Sequence, residues 1–183
     1  MTCLQEFSFY NSKVASSVTR RPRGVQWSAP PVVMVKVNVD GAFHHFTRKG
    51  GISFVIRNSD GHMIASGGRP LSGLVSAEHA ELLACKMAVE FLVHHDFRPA
   101  VLEKDALVVQ RQLVSCNGNN TSLLGRLYDD LTESLAVHTD IAVTSMGRQA
   151  NKVAHSLAAH ACSENQDFFL FFHTFFSSSC YCS

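Results

Sequence analysis

Five side chains in this sequence have the type and setting for chemistry: Asp40, Glu81, Asp105, Asn151 and His155. Asp40 closes "VKVNV" in the stretch "VKVNVDGAF", residues 35–43. A strand alternates its side chains between two faces, so Val35, Val37 and Val39 share one face and Asn38 and Asp40 the other. Asp40 is therefore either an ordinary strand-ending residue or a carboxylate held on a rigid element. Glu81 falls in "SAEHAELLACKMAV". At about 100° per residue it lies inside a stripe of Ala77, Ala84, Cys85 and Ala88. Small residues let a helix lie close to a sheet, and a carboxylate planted among them is costly unless something positive meets it. Asp105 ends a strand-like run just before a helix-like one. It reads as a helix N-cap and equally as a site residue, because a parallel strand ending beside the first would bring it near Asp40. Ligands gather outside the carboxyl ends of such strands. Asn151 and His155 are four apart and share a helix face, with Val153, Leu157 and Ala161 on the other. Carboxylates drawn together raise one another's pKa, and a hard divalent cation removes that penalty.

The elements that must position these groups follow from pattern. A first strand is expected over residues 33–40, with the chain turning at Gly41. A Gly50–Gly51 turn leads to a second strand over 52–58. "SDGH", with Asp-Gly at its centre, is a hairpin turn into a third strand, "MIASGG". Ser76 caps a long helix over 77–94, with Glu78 placed where the helix dipole favours an acid. A fourth strand covers 99–105, followed by a short helix, "ALVVQRQLV". The next helix carries Leu123, Leu127, Leu131 and Leu135 in one register. A fifth strand, "DIAVTSM", precedes the last helix, "NKVAHSLAAHAC", with Val153, Ala154, Leu157, Ala158 and Ala161 inward. Three hairpinned strands followed by alternating strands and helices imply an α/β fold, a five-stranded mixed sheet flanked by helices.

Composition narrows the function classes. The 183 residues carry a formal charge of +1, so no global basic field attracts nucleic acid and any such partner must be gripped locally. Six cysteines include no CxxC pair, which argues against structural zinc; Cys85 reads as a small core residue. The pairs His44–His45 and His94–His95 read as solvated loop residues. Residues 1–31 lack a secretory apolar core and read as a leader or linker, and 32–162 as the domain. The tail, 163–183, contains "DFFLFFHTFF", too short to span a bilayer. It reads as an appendage outside the domain, of the kind an altered 3′ end would add. No membrane association is expected, and an intracellular monomer, nuclear or cytoplasmic, is.

Taken together, "VKVNVDGAF", "GGISFVIRNSDG", "SAEHAELLACKMAV", "LEKDALVVQRQL" and "GRQANKVAHSLA" resemble the type 1 ribonuclease H domain. The likeness covers residues 32–161. It is strongest to the plant form found in non-long-terminal-repeat retroelement reverse transcriptases, whose opening also carries Trp27, Pro30 and Pro31. The resemblance implies a five-stranded ribonuclease H-like fold. It also implies cleavage of the RNA strand of RNA–DNA hybrids with two magnesium ions, manganese being a possible substitute. Products would be 5′-phosphate and 3′-hydroxyl ends. By position in the motifs, Asp40, Glu81 and Asp105 would be the metal ligands, and His155 stands where the family usually has an aspartate. Gly41, Ala42, Asn151 and Arg148 would meet substrate, with Arg57 and Lys152 as further phosphate contacts.

The departures from the family pattern have physical consequences. Imidazole in place of a fourth carboxylate suits softer metals better than magnesium, so slower turnover or a shift toward manganese is expected. "TSMGRQAN" lacks the usual upstream histidine, and Lys104 precedes Asp105 where a small hydroxyl residue is usual. "SCNGNNTS" supplies no basic handle for phosphates. These features favour a second reading, a weak or inactive nucleic-acid-binding relic of a retroelement; a third is a small-molecule or protein-interaction domain on a related fold.

Overall fold

The computed structural model describes residues 27–104, 124–145, 147, 150–164 and 166–172. Its strands are β1 (Val35–His44), β2 (Lys49–Arg57), β3 (Met63–Ser72), β4 (Ala100–Lys104), β5 (Ile141–Ser145) and β6 (Phe168–Phe171). The helices among the described residues are α1 (Ala77–His94), α2 (Gly125–Val137) and α3 (Lys152–Ser163). The six strands form one sheet in the order β5-β4-β1-β2-β3-β6. β1–β2, β2–β3 and β3–β6 are antiparallel, whereas β4 runs parallel to β1 and to β5. The mixed sheet is as expected, with one strand more. The short helix expected over "ALVVQRQLV" lies outside the described residues.

The two faces of the sheet differ in chemistry. Val37 and Val39 pair with Ile56 and Phe54 across β1 and β2 and bury completely under α1, together with Leu82, Cys85, Leu92, Leu102, Tyr128 and Leu131. The opposite face carries Asn38, Asp40 and Ser53 and is covered by α3, whose buried residues are only alanines: Ala154, Ala158 and Ala161. Ser53 Oγ donates to the Ala154 carbonyl at 2.7 Å. Val153, expected inward, is exposed, and Leu157 is only partly covered. A helix lying this close to a sheet has room beneath it for methyl groups, not for branched chains.

Close approach also explains glycines that looked like turns. β1 runs straight through Gly41 to His44, and the turn falls at residues 45–48. A Cβ on Gly41 would lie 2.5 Å from the Ala80 backbone carbon in α1. Gly50 and Gly51 lie inside β2; a Cβ on Gly51 would lie 2.3 Å from the Ala158 oxygen in α3. Glycine here removes a side chain between two backbones. The hairpin at residues 58–62 does form as read, with Gly61 at φ 82° and the Asn58 side chain accepting from the Asp60 and His62 amides. Ser76 caps α1 by accepting from the His79 amide at 3.1 Å.

Contacts are also made outside residues 32–162, at both ends. Trp27 lies 5.5 Å from Lys36 Nζ and 5.1 Å from the Arg57 guanidinium, ring centroid to cation. The Ser28 carbonyl accepts from Lys36 Nζ at 2.6 Å. At the other end, Phe168–Phe171 adds to β3 as a sixth strand. Gly67 and Gly68 of β3 face Phe169 and Phe168, whose rings fill the space their missing side chains leave, a known way of stabilising glycine in a sheet. Phe169 also stacks on Phe91 at 5.8 Å, and Arg69 binds Asp167 at 2.7 Å. No helix of the described residues is long and apolar enough to cross a membrane.

Candidate active site

β1 delivers Asp40 to the α3 face as alternation requires, and α1 and α3 bring their polar residues to it. Asp40 is buried, 3 % exposed. His155 Nδ1 lies 2.9 Å from Asp40 Oδ2. Asn151, immediately before α3, donates through Nδ2 to the Val39 carbonyl at 2.8 Å and lies 3.5 Å from Asp40 Oδ1. The i, i+4 pair read from sequence thus straddles this carboxylate. His155 keeps 73 % of its side chain exposed, so Nδ1 is committed to Asp40 while the rest of the ring meets solvent.

Glu81 arrives from the other side. It is 8 % exposed on α1, and its Oε1 accepts from the Gly41 amide at 3.2 Å. The two acids are therefore joined through the residue after Asp40, and the close contact of α1 with Gly41 makes the junction possible. The positive group that a buried Glu81 needs is Lys104, the last residue of β4, with Nζ 3.8 Å from Glu81 Oε2. One helical turn from Glu81, burial pushes the Cys85 thiol up to about 11. Glu78, the acid in the first turn of this helix, accepts from the Tyr128 hydroxyl at 2.5 Å and has a structural partner.

Asp105 follows Lys104 and lies outside the described residues, as does Arg148. Ala42 continues β1 beyond the site. The Gly41 amide, expected to face substrate, is already given to Glu81. Arg57 is likewise engaged: its Nη1 donates to Asn38 Oδ1 at 2.9 Å beneath Trp27, and burial lowers its pKa. Lys152 is exposed at the start of α3.

Sequence reasoning missed a second buried polar cluster on the Asp40 face. Lys36 pairs with Glu103 at 3.0 Å, and Asn38 Nδ2 donates to Glu103 Oε2 at 3.3 Å. The signal was present in the alternation of Lys36, Asn38 and Asp40, all of which point the same way.

A hard divalent cation wants oxygen donors. Asp40 and Glu81 supply carboxylate oxygens, and Asn151 Oδ1 is buried with no hydrogen-bond partner among the described residues. No group of three His, Cys, Asp or Glu able to hold a metal forms among the described residues; the third carboxylate of the expected set is Asp105. The donor chemistry fits a hard cation, and Lys104 opposes it.

No curated protein matches the chain in sequence. Among solved structures, RNase H1 of the halophilic archaeon Halobacterium salinarum is 26 % identical, with TM-score 0.64 over 70 % of this chain and 96 % of that one. LC11-RNase H1, isolated from compost by a metagenomic approach and solved in complex with an RNA/DNA hybrid, is 16 % identical. Its TM-score is 0.62 over 70 % of this chain and 96 % of its own. The N-terminal RNase H domain of a Mycobacterium tuberculosis protein is 21 % identical, with TM-score 0.61 over 70 % and 93 %. The reverse transcriptase-like family matches residues 38–161, more than half of the sequence. The fold is RNase H-like, and the chain belongs to the reverse transcriptase-like family.

Proposed function

We propose that the chain is an RNA–DNA hybrid endoribonuclease, of the retroelement-derived kind its motifs resemble. The observation that carries this reading is the junction of two buried acids from different elements, Asp40 and Glu81, through the Gly41 amide. The RNase H1 likeness at 26 % identity and the hybrid bound to LC11-RNase H1 support it.

Asp40, Glu81 and Asp105 would hold divalent cations, magnesium first and manganese in its place. When bound, such cations would supply Lewis-acid activation of a water and charge stabilisation at the leaving 3′ oxygen. The chain's own residues do the rest. Asn151 anchors the start of α3 to the Val39 carbonyl and fixes its height over Asp40. His155 orients the Asp40 carboxylate through Nδ1, and its Nε2 is the atom that exchanges a proton with solvent or substrate. Lys152 supplies a positive charge for backbone phosphate.

Cleavage of a labelled hybrid in magnesium and in manganese tests the proposal. The parent chain cuts the RNA strand, and Asp40→Asn abolishes cutting while hybrid binding persists. A second reading, a hybrid-binding relic, is favoured by the Lys104 ammonium beside Glu81. It gains the argument if the parent binds hybrid and cuts with neither metal. A chain that does not bind hybrid at all defeats both.

A further inference from the structure

Lys104 is unusual among the charged groups of this protein. It is 0 % exposed. Its Nζ makes no hydrogen bond among the described residues, and its counter-charge there is Glu81 at 3.8 Å. Every other buried cation in the described residues has a closer anchor: Lys36 has Glu103 at 3.0 Å and the Ser28 carbonyl at 2.6 Å. A buried ammonium without a hydrogen bond is tolerated only where it neutralises something. Lysine can do this because its charge is a compact point on a flexible stem.

Even-numbered β4 side chains, Ala100 and Leu102 before Lys104, face the core beneath α1. This places the ammonium at the C-terminal end of a parallel strand, facing the helix that carries Glu81. Cys85 lies in the same enclosure, with Lys104 favouring its thiolate and Glu81 opposing it.

We infer that Lys104 is a tethered counter-ion that occupies the charge position at Glu81 and competes with divalent cations for that carboxylate. The inference rests on the proposed metal platform for the identity of the competing ion. It goes beyond it in assigning this chain a built-in antagonist of metal binding. Without metal, Lys104 lets Glu81 stay buried. With metal, the ammonium must swing aside or share the carboxylate, so divalent ions bind more weakly than to the same acids without it.

The test uses the full chain without nucleic acid. Manganese is titrated calorimetrically into the parent and into Lys104→Met, with folding followed by circular dichroism at each metal concentration. The expected result is binding at least tenfold tighter in Lys104→Met, with Glu81→Gln on that background cancelling the gain. A variant that folds only when manganese is present also supports the inference, since the ion then replaces the missing charge. Equal or weaker binding in a folded variant overturns it, as does a variant that manganese cannot rescue. If binding is equal and the parent still cuts hybrid, only the counter-ion role fails. If neither chain binds manganese and the parent does not cut, the nuclease reading fails with it.

Discussion

Replacing Gly41 with alanine probes the joint on which the site depends. The added Cβ would meet the Ala80 carbon at 2.5 Å and the Glu81 nitrogen at 2.6 Å. Both are backbone atoms of α1, so no side chain can swing away and the helix itself must retreat. Overpacking of this kind costs about 1–3 kcal/mol. Retreat also breaks the hydrogen bond from the Gly41 amide to Glu81 Oε1, already long at 3.2 Å. Loss of a hydrogen bond to a charged, buried acceptor costs roughly 1.5–3 kcal/mol. The sum, about 2.5–6 kcal/mol, is a large part of the stability of an ordinary domain. For a chain of this size it lowers the melting temperature by roughly 5–24 °C. Thermal unfolding followed by circular dichroism measures it. Gly147→Ala is the control, since a Cβ there meets no atom of the described residues within 4 Å. Below the melting temperature, Gly41→Ala should bind hybrid yet cut it slowly, because Glu81 has moved relative to Asp40. A Gly41→Ala chain that melts within 2 °C of the control, roughly the shift of a kcal/mol or less, would refute the close-approach argument.

Three further outcomes are expected. Lys36→Met strands Glu103 in the interior and should lower stability by about 3–5 kcal/mol in urea unfolding; adding Glu103→Leu should restore at least half, and a double variant no better than the single one contradicts the assignment. Cys85 has a raised folded pKa of about 11 against an ordinary 9.0, so its contribution is intact below pH 9 and is lost as pH rises through 11, on the order of 2–3 kcal/mol. Cys85→Ala should flatten that part of the stability–pH curve, and an unchanged slope there removes the thiol as its source. His155→Asp replaces a ring nitrogen 2.9 Å from Asp40 with a hard oxygen donor and should raise hybrid cleavage at a fixed magnesium concentration while narrowing the preference for manganese. Identical rates in both metals would dispose of that account.

Part of the site could be read from spacing because Asp40 and Glu81 sit on regular elements. Alternation along β1 put Asp40 opposite the valines, and helical spacing put Glu81 among alanines that pack on the sheet. The same arithmetic paired Asn151 with His155. It failed for Val153, because an apolar residue on a short helix does not announce how close the helix lies. Glycine was the larger source of error. Gly41, Gly50 and Gly51 looked like turns, since a glycine needed for a bend and one needed for backbone contact are the same letter. The Lys104–Glu81 contact joins residues from β4 and α1, and no local period reports such a meeting. Trp27 and Phe168–Phe171 were set outside the domain for a related reason. Their partners, Lys36, Arg57, Gly67 and Gly68, lie on β1, β2 and β3 and display no need for them until folded.

The aromatic cover on Gly67 and Gly68 decides what kind of border the sheet presents. Were the chain to stop at Ser163, β3 would become the rim. It would show two hollows, the ring of Phe91 and an open row of amides and carbonyls, which is a template for strands from other molecules. Phe168–Phe171 works like the selvedge of a cloth: it covers both hollows and leaves a border only four residues long. One step of slippage would turn each ring to the wrong side of the sheet. Sequence changes in this run should therefore show first as clumping of the protein, before any loss at Asp40.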